Sequence, residues 1–210
     1  MRGKSNEYCL GCGVCSHFLL CPLWSHQGGD AGRNHCSPSE PECGCNAKWP
    51  RGHMTRPHQD QWPPSDHKYR RSEVNGFVGS GDAVWHRAAH EVLRWKLKTQ
   101  SGFVVDSLGP VSPGEHVVVT ARVLGVTVVE PVEVVDVVQE PGRCGFSYRT
   151  LPGHPVDGEE AFFVYRRGDE VHLTIRSLTR AAPRQPWRLL FPLILIAQRI
   201  VQRRYLRALE

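Results

Sequence analysis

The sequence predicts an α+β domain: an antiparallel sheet of about six strands, entered through one amphipathic helix and closed by a second, longer one. Three observations carry this expectation. From His116 to Val138 the chain is rich in valine and broken only at Gly125 and Pro131, as in strands buried on at least one face. Val171, Leu173 and Ile175 alternate with His172, Thr174 and Arg176, the period of a half-buried strand. Leu189, Leu193, Ala197, Ile200, Val201 and Tyr205 recur at helical spacing near the end of the chain.

Within 210 residues there is room for one domain with a real core and an extension. The division falls near residue 75. Residues 1–75 hold seven of the eight cysteines and six of the eleven histidines, with much Gly, Pro and Ser and no sustained periodicity. Such a composition buries too little apolar surface to offset its ordering entropy, so 1–75 is expected to be a low-order extension and 76–210 the folded domain. The net charge of +5 is modest and matters only where it clusters. The longest apolar run, Leu189 to Ala197, is interrupted by Pro192 and falls short of the ~20 residues that span a bilayer. Arg2 and Lys4 precede a segment cut by Gly11, Gly13 and Pro22, which does not make a signal peptide, and a cytoplasmic protein is expected.

Cys9, Cys12, Cys15 and Cys21-Pro22 form C-x2-C-x2-C-x5-C-P. This approaches the iron–sulfur spacing of ferredoxins, which has three residues before the last Cys-Pro. Cys36, Cys43, Cys45, His26 and His35 have the chemistry of a zinc site. No second ferredoxin-like half accompanies the run, and the extension reading is preferred; neither metal nor cofactor is expected.

The folded part takes shape from Gly79. Ser80 or Asp82 suits a helix cap, and Val84, Trp85, Ala88, Ala89, Val92, Leu93 and Trp95 give one broad apolar face. Lys96 and Lys98 suit the negative end of its dipole, and Gly102 its exit. His86 and His90 are four apart but lack a third ligand. A short strand at Phe103 to Val105 precedes the valine-rich runs, whose sharp turn is either at Gly125 or at Glu130-Pro131. Phe146, Tyr148 and Thr150 then fit a strand, Pro152, Gly153, Pro155 and Gly158 a tight turn, and Glu159 to Tyr165 a second strand. Arg167-Gly168-Asp169 turns the chain into the alternating strand. The closing helix, about Trp187 to Ala208, is expected to cover the apolar face of the sheet with its arginines in water.

The stretch from Phe146 to Phe162, with Thr150-Leu151-Pro152-Gly153-His154-Pro155 and Gly158-Glu159-Glu160, is distinctive. Together with Gly79-Ser80-Gly81, Trp85, Arg87-Ala88-Ala89, Trp95, Gly114, Gln198 and Arg204-Tyr205-Leu206, it resembles uncharacterised protein family 0548, a domain of unknown function found in bacteria and plants. The resemblance covers about residues 79–209. Arg149 stands where that family usually has Gly, and Ala181 where it usually has Pro. The family is similar to the Bet v1/START-like helix-grip group, which implies a curved sheet gripping the C-terminal helix and an apolar cavity between them.

A small-molecule or lipid-binding module is the leading expectation. Tyr148, Arg149, Thr150, His154, Glu159, Glu160 and Phe162 are the candidate ligand-binding residues, a few polar anchors beside an apolar pocket. The enzyme alternative is uncommitted and leans against catalysis: His154 with Glu159 or Glu160 would perform acid–base chemistry. A structural role competes with both, His154 bonding its own loop and the glutamates taking backbone N–H groups or Arg149. A third alternative is a peripheral membrane or assembly protein acting through the C-terminal helix, with Arg199, Arg203, Arg204 and Arg207 toward an anionic membrane surface. No aromatic-plus-basic stripe marks a strand, and nucleic acid is not expected.

Overall fold

A computed structural model describes residues 54–64, 67–107, 109–123 and 125–209, all within one unit, Trp49–Glu210. The cysteine run and the candidate zinc ligands lie outside the described residues. The elements are β1 (Arg70–Ser80), α1 (Asp82–Val92), α2 (Lys96–Gln100), β2 (Phe103–Val105), β3 (His116–Val123), β4 (Val126–Glu140), β5 (Arg143–Thr150), β6 (Val156–Arg167), β7 (Glu170–Ala181) and α3 (Trp187–Tyr205). Seven strands form one antiparallel sheet in the order β1-β7-β6-β5-β4-β3-β2. The extra strand relative to the six expected is β1, which runs across the expected boundary at residue 75. The valine-rich hairpin turns at Gly125, not at Pro131, which pairs with Val118 inside β4.

One face of the sheet carries the core. Val117 and Val119, Val132 and Val134, Phe146 and Tyr148, Phe162 and Val164, and Leu173 and Ile175 alternate onto it, and all are buried. Trp85, Ala88 and Val92 of α1 and Tyr205 and Leu209 at the end of the chain close over them. This is the expected curved sheet gripping a C-terminal helix.

α1 is shorter than its apolar periodicity suggests and has no side-chain cap; Gly81, not Ser80 or Asp82, occupies the cap position. The helical run breaks at Trp95, which adopts a left-handed backbone (φ 57°) that costs a non-glycine residue roughly 1 kcal/mol. The break starts α2 in a new direction, so that Lys98 points into the core instead of into water.

The opposite face is also covered. Residues 54–62 lie across β5, β6 and β7. Arg176 Nη1 donates to the carbonyls of Arg56 and Gln59, both at 2.8 Å, and its Nη2 to that of Asp60 at 2.9 Å. Arg143 donates to the Pro57 carbonyl and pairs with Asp60. Trp62 and Tyr69 pack on Leu178. The segment thus satisfies two buried guanidinium groups that the strand pattern alone would leave in solvent.

Candidate functional site

Strand alternation separates Glu159 and Glu160, the two glutamates of the β5–β6 hairpin. Glu159 falls on the outer face, where it accepts hydrogen bonds from the backbone N–H groups of Met54 (3.0 Å) and Thr55 (2.8 Å) and from the Thr55 hydroxyl. It is a strut that binds residues 54–55 to the sheet. Arg149, also outward, makes two hydrogen bonds to Glu133 Oε2, at 2.9 and 2.6 Å. Thr150 accepts from the Gly158 N–H at 2.9 Å and ties β5 to β6.

Glu160, Phe162 and Tyr148 face the core, and there they meet Lys98. Lys98 Nζ lies 3.4 Å from Glu160 Oε2. The Tyr148 hydroxyl donates to the same oxygen, and the Ser177 hydroxyl donates to Glu160 Oε1 at 2.9 Å. The ring centroids of Phe103, Tyr148, Tyr205 and Phe162 surround the ammonium at 5.0, 5.1, 5.3 and 5.7 Å, within cation–π range. Burial works against the Lys98 charge, but Tyr148, Tyr205, Glu160 and Glu130 outweigh it and hold the pKa well above the usual lysine value. Burial likewise pushes the Tyr148 and Tyr205 hydroxyls upward, with Glu160 adding to both, so both stay protonated. Glu130 of β4 is raised by burial and by Glu160, against the pull of Lys98. The indole Nε1 of Trp95 is buried without a hydrogen-bond partner among the described residues.

From Glu160 a polar chain leads outward. Gln202 of α3 donates to Ser177 at 3.3 Å, and Gln198, one turn earlier, donates to the Thr179 hydroxyl at 3.1 Å. Both glutamines line a cleft of about 200 Å³ where α3 passes β1 and β7, with Arg70, Ser72 and Leu195 on its other walls.

His154 stands apart from this cluster. It is buried in the hairpin turn, where its Nδ1 lies 3.0 Å from the Val156 carbonyl oxygen and 3.1 Å from the Val156 N–H, two contacts that require opposite tautomers of the ring. Nε2 is 4.0 Å from Glu130, beyond a hydrogen bond. Burial, with the Lys98 charge adding to it, lowers the His154 pKa to about 3, against a weaker opposing pull from Val156. The unfolded chain therefore takes up a proton that the folded domain refuses. Stability present above about pH 6.5 is lost as pH falls below it, by about 1.4 kcal/mol per unit. We expect the imidazole resonances of His154 to stay those of the neutral ring down to about pH 4, and the acid slope of the unfolding free energy to flatten in His154→Gln.

The hairpin thus brings together Tyr148, Glu160 and Phe162 from the expected set. It leaves Arg149 and Glu159 on the far face, and His154 and Thr150 within the loop and strand pairing. Lys98, Glu130, Ser177, Gln202, Tyr205 and the Trp95 indole were not expected. One signal was available: Glu160 shares strand parity with Phe162 and Val164, so a core-facing carboxylate requires a buried partner.

Among proteins of known structure, the chain is similar to a major latex-like protein from Panax ginseng (12% identity, 65% of this chain and 98% of that one, TM-score 0.42). It is also similar to a hypothetical protein from Helicobacter pylori (13% identity, 71% and 92%, TM-score 0.49). A UPF0548 protein from Deinococcus radiodurans is 35% identical over 150 residues, 63% of this chain and 72% of that protein. With a family model matching residues 51–208, from the outer-face segment to the last turn after α3, the chain belongs to the DUF1990 family, a domain of unknown function.

Proposed function

We propose that the domain binds a small, largely apolar molecule whose polar end reaches the Lys98–Glu160 pair through the cleft beside α3. The observation that carries this reading is the ion pair itself, set among aromatic rings at the centre of an apolar core. A buried pair of this kind is often no better for stability than well-packed hydrophobic residues of the same volume, so it is poorly explained as a fold determinant. The unpartnered Trp95 indole N–H supports the same reading, since a ligand acceptor would satisfy it. Gln202 and Ser177 link the cleft to Glu160, which gives an incoming hydroxyl or carbonyl a graded set of partners. The cleft volume favours a ligand end of a few heavy atoms in that passage.

Native mass spectrometry of the protein purified from its host is the direct test. A bound small molecule is expected on the wild type. Loss of that mass in Gln202→Leu, an exchange at the mouth of the passage that leaves the ion pair intact, would support the reading. A bound molecule retained at wild-type occupancy in both Gln202→Leu and Lys98→Met would overturn it.

A further inference from the structure

The outward face of α3 is built in two halves that the fold does not use. Leu189, Leu193, Ile196 and Ile200 follow at intervals of four, three and four residues, which places them in one stripe, and they are 76%, 62%, 54% and 50% exposed. Arg203, Arg204 and Arg207 continue that line through the last turns and are exposed. The inward line runs opposite, through Gln198, Gln202 and Tyr205. Beyond the stripe the arginines form one wall of a groove of about 930 Å³, with Arg87 of α1 and Lys96 of α2 on its other side. The carboxylate on its walls, Glu91, pairs with Arg87 at 3.5 Å, whereas Lys96, Arg203, Arg204 and Arg207 have no ion pair among the described residues.

We infer that this face of α3 docks on an anionic bilayer surface, the four aliphatic side chains entering the acyl boundary and the arginines with Lys96 holding lipid phosphates. An exposed aliphatic stripe of this length is costly in water, and continuity with unpaired cations matches an interface that is apolar below and anionic above. The same charges argue against a second copy of the chain with its helix parallel to this one, because that pairing along the stripe would bring Arg203, Arg204 and Arg207 of the two copies together. They argue against duplex nucleic acid as well, which has no use for the aliphatic half. Among the described residues, no helix is long and apolar enough to cross a membrane.

The full chain should cosediment with vesicles of phosphatidylcholine containing phosphatidylglycerol, and weakly or not at all with phosphatidylcholine alone. Added salt should release it. Replacing Arg203, Arg204 and Arg207 by glutamine should weaken binding roughly 100-fold. Leu193→Glu with Ile196→Glu should abolish it while leaving the circular dichroism unchanged, since both side chains are exposed. Absence of vesicle binding, equal binding to neutral vesicles, or binding that survives the glutamate pair would each overturn the inference. So would a concentration-dependent dimer that the glutamate pair disperses.

Discussion

Glu160→Gln should lower the unfolding free energy by about 3 to 5 kcal/mol, the usual cost of stranding one member of a buried ion pair. The glutamine keeps the volume but has a single acceptor oxygen, so it receives only one of the Tyr148 and Ser177 hydroxyls, and the loss combines the charge facing Lys98 with one hydrogen bond. Urea denaturation measures it directly. The triple exchange Glu160→Leu, Lys98→Met and Tyr148→Phe should recover most of the loss, because it removes both charges and the Tyr148 hydroxyl together and leaves only the Ser177 hydroxyl to find another acceptor. The pH dependence supplies a second sign. In the wild type the Lys98 pKa lies above its unfolded value of ~10.4. Its contribution is therefore complete below that pH and disappears as pH rises through the raised folded value. In Glu160→Gln one of the charges that raise the folded value is gone, so that value falls toward the unfolded one and the part of the stability lost between ~10.4 and the raised value shrinks. A variant that matches the wild type at every pH would mean that the pair has no energetic role, and would weaken the case for a ligand site there.

The contrast between what was legible and what was not follows one physical line. Strand alternation and helical spacing are local, and they located β2 through β7 and α3 within a few residues. Lys98 was hidden because its burial depends on the left-handed backbone at Trp95, and an apolar periodicity running through Trp95 gives no sign of that turn. Arg176 was hidden for a different reason. It occupies the polar phase of β7, yet it is 1% exposed because residues 54–62 arrive from 120 positions upstream to accept its hydrogen bonds. Composition places that segment in the low-order extension, because composition records how much apolar surface a stretch owns but not the buried charges on another strand that it can satisfy. Glu159 and Glu160 lie between these cases. Their opposite fates are written in the parity of β6, but only once β6 is known to begin at Val156, before Gly158, with no turn through it.

Gly158 gives the second large expectation. The sequence reads as if this glycine closed the hairpin turn, but it sits inside β6 opposite Thr179. A Cβ there would lie 1.8 Å from the Leu178 carbonyl oxygen and 2.9 Å from its carbon, positions fixed by the sheet and not by a flexible side chain. Gly158→Ala therefore cannot be absorbed by a rotamer change; β6 and β7 must separate. We expect a loss above about 4 kcal/mol, in the range reserved for overpacked or broken cores. Gly142→Ala is the control, since its added Cβ meets nothing within 4 Å and should change stability by at most about 0.5 kcal/mol. Thermal unfolding of the two variants side by side decides the matter, with soluble yield as a coarser reading. The consequence reaches the core-facing site, because Glu160 is two residues along the same strand and takes its Ser177 hydrogen bond from β7. A strand pair forced apart at Gly158 loosens the carboxylate that faces Lys98. If Gly158→Ala is as mild as the control, the backbone approach between β6 and β7 is wider than described, and the placement of Glu160 loses its support with it.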